Sequence, residues 1–146
     1  MKILVDADAC PVKSIIVDEA KKQQIEVIMF IDTSHVLNDG YSKIIMVDKG
    51  RDSVDFALVN MVTKGDIVVT QDYEVAALAL TRGAYPINQN GLIYDKSNID
   101  SLLFQRFLSN KVRQSGGRVK GVGKRTKDDD EKFRHNFSKL ISHLTC

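Results

Sequence analysis

Tryptophan is absent from this 146-residue chain, which also holds only two cysteines, two prolines and 7% aromatic residues. Two cysteines, Cys10 and Cys146, are too few for a disulfide framework. Three scattered histidines, His35, His135 and His143, lack the spacing of a zinc site. No apolar run approaches the ~20 residues of a membrane helix, and Asp6 interrupts the opening Met1-Lys2-Ile3-Leu4-Val5 before a signal-peptide core could form. These absences lead us to expect a cytoplasmic protein with reduced thiols, no structural zinc and no membrane partner.

What is present is an ordinary globular composition, 43% hydrophobic and 27% charged, which at this length predicts one domain over residues 1–146. The net charge of +2 hides a division. Residues 1–100 hold ten bases against fifteen acids, a net of −5, and residues 101–146 hold eleven against four, a net of +7. Eight bases and no acid fall between Arg106 and Lys127. This run is either a polyanion contact or a solvated basic face.

Short β-branched runs alternate with helical patterns, predicting an α/β fold: a three-layer parallel sheet of about five strands flanked by helices. The strands are read at Ile3–Val5, Val27–Ile31, Ile44–Val47, Ile67–Thr70 and Ala84–Ile87, with a short edge piece at Leu92–Tyr94. A first helix is read from Pro11 to about Gln24. The stripe Val54, Ala57, Leu58, Met61 and Val62 predicts a second, closed by Lys64-Gly65. Val75, Leu78, Ala79 and Arg82 make a third, stopped by Gly83. Asn98 caps a fourth that buries Ile99, Leu102, Leu103 and Phe107. A C-terminal helix over residues 128–144 begins in acids suited to a helix N-terminus and buries Phe133, Phe137, Leu140, Ile141 and Leu144. Residues 114–127 form a basic, Gly-rich loop of the length usually reserved for function or disorder.

Open parallel sheets bind ligands beyond the carboxyl ends of their strands, and this chain repeatedly puts acids there: Asp6 and Asp8, Asp32, Asp48, and Asp72. Asp32 and Asp48 are read as turn or capping residues, and Asp52 as a cap accepting from backbone N–H groups. Asp55 sits beside a buried stripe, where its value as a cap is smaller. Asp6 and Asp8 share one side of an extended segment, so their charges repel unless a cation or proton intervenes. With Asp72 they form an all-oxygen cluster suited to Mg2+ or Mn2+. Thr70 and Gln71 offer hydrogen bonds to water or phosphate, and Lys13 and Ser14 open a helix whose amides attract phosphate. Each of these four has an equally simple reading as a strand end or a solvated first turn. Cys10 lies where a helix lowers thiol pKa, yet no histidine is placed to activate it.

Gly121-Val-Gly123-Lys124-Arg125-Thr126 departs from the phosphate-loop pattern and follows no strand, and no G-x-G-x-x-G follows the first strand. Triphosphate and dinucleotide readings are therefore set aside. His143 and Cys146 are read as part of a fraying terminus.

The segment Val5-Asp6-Ala7-Asp8-Ala9-Cys10-Pro11-Val12-Lys13 resembles the YaiI/YqxD family of small bacterial proteins. Asp52-Ser-Val-Asp55-Phe, Gly65-Asp66-Ile-Val-Val-Thr70-Gln71-Asp72, Gly83-Ala84 with Asn88 and Asn90-Gly91, and Lys127-Asp-Asp-Asp-Glu-Lys-Phe133 extend the resemblance over nearly the whole chain. It implies a PIN-like or NYN-like nuclease fold. It also implies a metal cluster of Asp6, Asp55 and Asp72, with Asp8 as a fourth catalytic candidate.

Three functions compete. The first is a Mg2+- or Mn2+-dependent nuclease acting on RNA, with the basic loop and helix flank from Arg106 to Lys127, including Arg118, Lys120, Lys124 and Arg125, gripping phosphates and Tyr73 stacking on a base. The second is a non-catalytic RNA- or ribosome-associated binding module. The third is an aspartyl phosphotransferase using Asp6 as nucleophile, Asp8 as acid and Thr70 for phosphate.

Overall fold

Alternation along the strands builds the molecule. In β1 (Lys2–Asp6), β2 (Glu26–Asp32) and β4 (Ile67–Val69), successive apolar side chains face opposite sides of the sheet. Ile3, Val5, Val27, Met29, Ile31, Ile67 and Val69 enter one core, and Leu4, Ile28, Phe30 and Val68 enter the other. Strands apolar on both faces need helices on both faces. With β3 (Lys43–Val47) and β5 (Tyr85–Ile87) they form an all-parallel sheet in the order β3-β2-β1-β4-β5. The computed structural model describes residues 1–32, 37–50, 52–117 and 123–145. No helix among them is long and apolar enough to cross a membrane.

On one face lie α1 (Lys13–Lys22) and α5 (Lys127–Thr145), which pack on each other. Phe133 and Phe137 of α5 are fully buried and stack with ring centroids 5.1 Å apart. On the other face lie α2 (Ser53–Met61) and α3 (Tyr73–Thr81). Helix α4 (Ile99–Gln114) leans on α3 through Ile99, Leu102 and Leu103. The three-layer α/β architecture agrees with the sequence. The edge piece reduces to a single antiparallel bridge between Ile87 and Ile93, followed by the buried Tyr94.

Several local expectations are corrected. Pro11 lies in a turn ahead of α1, which begins at Lys13, and Lys22 ends the helix before Gln24. Helix α2 ends at Met61 because Val62 is already extended, and Gly65, at φ 90°, serves the turn into β4 instead of a helix cap. Asp52 holds the N-cap position of α2 in a left-handed conformation (φ 63°), but its carboxylate makes no capping bond to a described residue. Phe107, expected to be buried, is 53% exposed. The side chain of Asn98 accepts from Asp95 N–H and donates to Ile93 carbonyl, bracing the loop before α4 rather than capping it. The expected loop at 114–127 is shortened at its start, since α4 runs through Gln114.

Candidate functional site

The sheet reverses its strand order between β1 and β4, and such a reversal opens a crevice at the carboxyl ends of the two strands. Asp6 is the last residue of β1, and Thr70, Gln71 and Asp72 follow β4 directly. The buried Thr70 links them: its Oγ1 donates to Asp6 Oδ2 at 3.2 Å and accepts from Asp72 N–H at 3.0 Å. Asp72 is the N-cap of α3, its Oδ1 accepting from the N–H groups of Glu74 (2.8 Å) and Val75 (3.4 Å). The same oxygen accepts from Arg106 of α4 at 3.3 Å. Asp6, Asp72 and Arg106, with Asp8, Gln71 and Tyr73, line a cleft of about 330 Å3.

Asp8 turns toward β2, where its Oδ2 accepts from Asp32 N–H at 3.2 Å. Gln71 spans the cleft floor by donating to Ala9 carbonyl at 3.3 Å. Asp55 approaches from α2 and hydrogen-bonds the Asp72 side chain. It lines an adjoining hollow of about 140 Å3 between α2 and α3 with Asp52, Glu74, Phe56 and Leu78.

The electrostatics follow from this crowding. Burial pushes the Asp6 carboxyl up to about 6; the Thr70 hydrogen bond opposes that rise, and the charges of Asp72 and Asp8 add to it. Asp55 rises to about 7, first from burial, then from the charges of Asp72 and Asp6, the hydrogen bond to Asp72 and the nearby Asp52. Crowded by these charges, Asp55 is held toward its protonated form at a place where a cation could stand in for the proton. The donor set therefore fits a hard divalent cation in its chemistry. In its geometry it is not yet arranged: among the described residues no three His, Cys, Asp or Glu side chains already converge on a metal position.

Other expected contacts lie elsewhere. Lys13 Nζ donates to the carbonyls of Ala7 (3.2 Å) and Cys10 (2.9 Å), and with Ser14 it lines a separate hollow beside Lys21 and Leu37. Arg125 is held inside the fold, donating to Asp130, Asn90 and Gln89 at 2.7 Å each. Lys124 is exposed just before α5. Arg118 and Lys120 lie outside the described residues. Cys10 is buried, and burial pushes its thiol up rather than down, removing the lowered-pKa expectation. Sequence reasoning took Arg106 only as the start of the basic flank and missed its place beside Asp72. Its only signal was being the first of the eight bases, and nothing in spacing shows that α4 leans on the helix Asp72 caps.

The family model described as "Uncharacterized BCR, YaiI/YqxD family" matches residues 4–143. A UPF0178 protein of Ruminiclostridium cellulolyticum is 65% identical over 133 residues, covering 91% of this chain and 87% of its own. UPF0178 proteins of Clostridium kluyveri and Clostridium acetobutylicum are 52% and 50% identical, covering 97% of this chain and 93% and 97% of their own. No solved structure matches significantly. With nearly its whole length matched by the model and by bacterial relatives at half identity or more, the chain belongs to the YaiI/YqxD family.

Proposed function

We propose that this chain hydrolyses phosphodiester bonds in RNA, with Mg2+ or Mn2+ held by Asp6, Asp55 and Asp72. One observation carries the reading: at a sheet switch point the fold partly buries Asp6 and Asp55 beside further carboxylates, and burial first, then those charges, raises the pKa of both. Such an arrangement costs stability, and strongly perturbed groups in a cleft are the usual mark of a functional site. The resemblance to PIN-like nucleases adds to it.

The bound metal would supply an activated water and neutralise charge on the phosphate oxygens. Thr70 orients Asp6 through its hydroxyl, and Asp72 is oriented by the first amides of α3. Arg106, beside Asp72, is placed to hold a phosphate once the metal takes that carboxylate. Asp8 lies in the same cleft to orient water, Gln71 to hydrogen-bond ribose, and Tyr73 to stack on a base. Lys124, with Arg118 and Lys120, adds sequence-independent phosphate contacts, which make affinity salt-dependent.

A second reading, an RNA-binding module without hydrolysis, is favoured by the Arg106–Asp72 pair and by the absence of three converged ligands among the described residues. Calorimetric titration with Mn2+, wild type beside Asp6→Asn, followed by incubation of both with labelled single-stranded RNA, separates the two. Saturable metal binding and cleavage, both lost in Asp6→Asn, are the expected result. RNA binding without metal uptake, unchanged in Asp6→Asn, would replace the nuclease by the module.

A further inference from the structure

A groove of about 650 Å3 lies away from the acidic cleft, between α5 and the segment that follows β5. That volume is typical of small-molecule sites. Its lining contains no carboxylate. Lys132, Lys139 and His143 project from one face of α5, and Leu92 and Ile93, 40% and 37% exposed, form an apolar wall opposite. Asn88, Asn90 and Asn136 complete it.

The groove is held open by specific contacts. Arg125 ties Gln89 and Asn90 to Asp130 at the start of α5. Asn136 Nδ2 donates to Gly91 carbonyl at 3.0 Å. Gly91 sits at φ 86° against α5, so close that a Cβ there would meet Asn136 Nδ2 at 2.8 Å and Lys132 carbonyl at 3.0 Å. Asn88 Oδ1 accepts from the N–H groups of Asn90 and Leu92, both at 2.9 Å, which sets the turn. A wall fixed this way loses little conformational freedom when a ligand binds.

Those same bonds determine what the amides still offer. Asn90 gives its carbonyl to Arg125, which leaves its N–H2 as donor, and Asn136 gives an N–H to Gly91, which leaves its carbonyl as acceptor. The lining therefore combines three cationic or ionisable nitrogens, an apolar wall, and one amide donor with one amide acceptor. That combination matches a phosphate, the face of a planar ring, and the mixed donor and acceptor edge of a nucleobase.

We propose that this groove is a nucleotide-binding site, taking a terminal phosphate against Lys132, Lys139 and His143, and the base between the Leu92–Ile93 wall and the asparagine amides. The nucleotide is either free or the phosphorylated end of an RNA strand. The site does not depend on the acidic cleft being catalytic.

The test is carried out with the full chain in EDTA, so that metal-dependent chemistry cannot contribute. Adenosine 5′-monophosphate, inorganic phosphate, and one short single-stranded RNA with either a 5′-phosphate or a 5′-hydroxyl are titrated, and amide NMR shifts and calorimetry are read. Wild type is compared with Lys132→Glu/Lys139→Glu, both exposed positions, and with Asp6→Asn. Saturable binding with shifts at Gly91, Leu92 and Asn136 is expected, weakened at least about tenfold in the double variant and retained in Asp6→Asn. Binding of the monophosphate makes the ligand a free nucleotide, and binding of the 5′-phosphorylated RNA alone makes it a strand end. Inorganic phosphate equalling the monophosphate, binding indifferent to the charge reversal, or no groove shifts with any probe would each overturn the proposal. Loss of nuclease activity in Asp6→Asn bears only on the acidic cleft.

Discussion

Asp66 and Asp55 are both aspartates near a core, and the fold treats them in opposite ways. Asp66 is 2% exposed, yet it accepts from the backbone N–H of Lys2 (3.1 Å), Lys2 Nζ (2.7 Å), Thr63 N–H (2.8 Å) and Thr63 Oγ1 (2.9 Å). These partners outweigh burial and hold its carboxyl below the usual range. Asp55, with Asp6, is surrounded by further carboxyls and is held well above it. Asp66 closes the amino end of the sheet, where β1 and β4 begin, and the acidic cleft opens at the carboxyl end of the same two strands. The fold satisfies Asp66 with four hydrogen bonds, whereas among the described contacts Asp6 receives one, from Thr70, and faces other carboxylates.

That contrast can be broken at either end. The largest effect is expected in catalysis: Asp6→Asn lowers Mn2+-dependent RNA cleavage by at least about a hundredfold, more than loss of a supporting partner beyond the ligands costs. Steady-state cleavage of labelled RNA measures it, and unchanged cleavage would remove Asp6 from the site. Next, Asp66→Ala leaves Lys2 and the Thr63 groups without their buried acceptor and destabilises by about 3 kcal/mol, read as a lower urea midpoint.

Asp55→Asn works in the other direction, raising the melting temperature of the metal-free protein at neutral pH by about 3 °C, or roughly 1 kcal/mol. The two sites also respond oppositely to pH. The folded chain keeps protons on Asp6 and Asp55 up to about 6 and 7, whereas the unfolded chain releases them near 3.8. Their contribution is therefore present below about pH 4 and lost as pH rises through the folded values. Asp66, depressed when folded, contributes above its unfolded value and loses that contribution as pH falls through the folded one. Melting curves across pH 3–8 are expected to show the decline between pH 4 and 7 flattened in Asp55→Asn and the acid-side loss flattened in Asp66→Asn. The smallest effect belongs to Phe107→Ser, an exposed position where stability shifts by no more than about 0.5 kcal/mol. A larger loss on chemical denaturation would mean that α4 is covered.

The sheet was legible because each of its central strands alternates between two apolar cores, a pattern that Ile3, Leu4 and Val5 already carry. Asp6 and Asp72 were legible for a related reason, since a strand end is a position that sequence fixes directly. Phe107 was misread because helical spacing identifies a face but not whether another element will cover it, and Asp52 because its position ahead of α2 does not show the left-handed backbone it adopts there. Arg106 and Arg125 depend on contacts with residues 34 and 35 positions away in the chain. No local pattern carries that information, and one guanidinium came to the acidic cleft while the other went to brace the groove wall.

The position of β1 also bears on how the chain assembles. The strand at the centre of the sheet is the first of the described strands to leave the ribosome, and its neighbour β4 is followed directly by Thr70, the partner of Asp6, 64 residues later. One of its two hydrogen-bonding edges has no partner until nearly half of the chain has been synthesised, so part of the sheet's cooperativity waits for that later pairing. Parallel pairings of such sequence separation are slow to form. A chain stalled before β4 would present an apolar, unpaired edge to its neighbours, and expression at lower temperature is expected to raise the yield of folded protein.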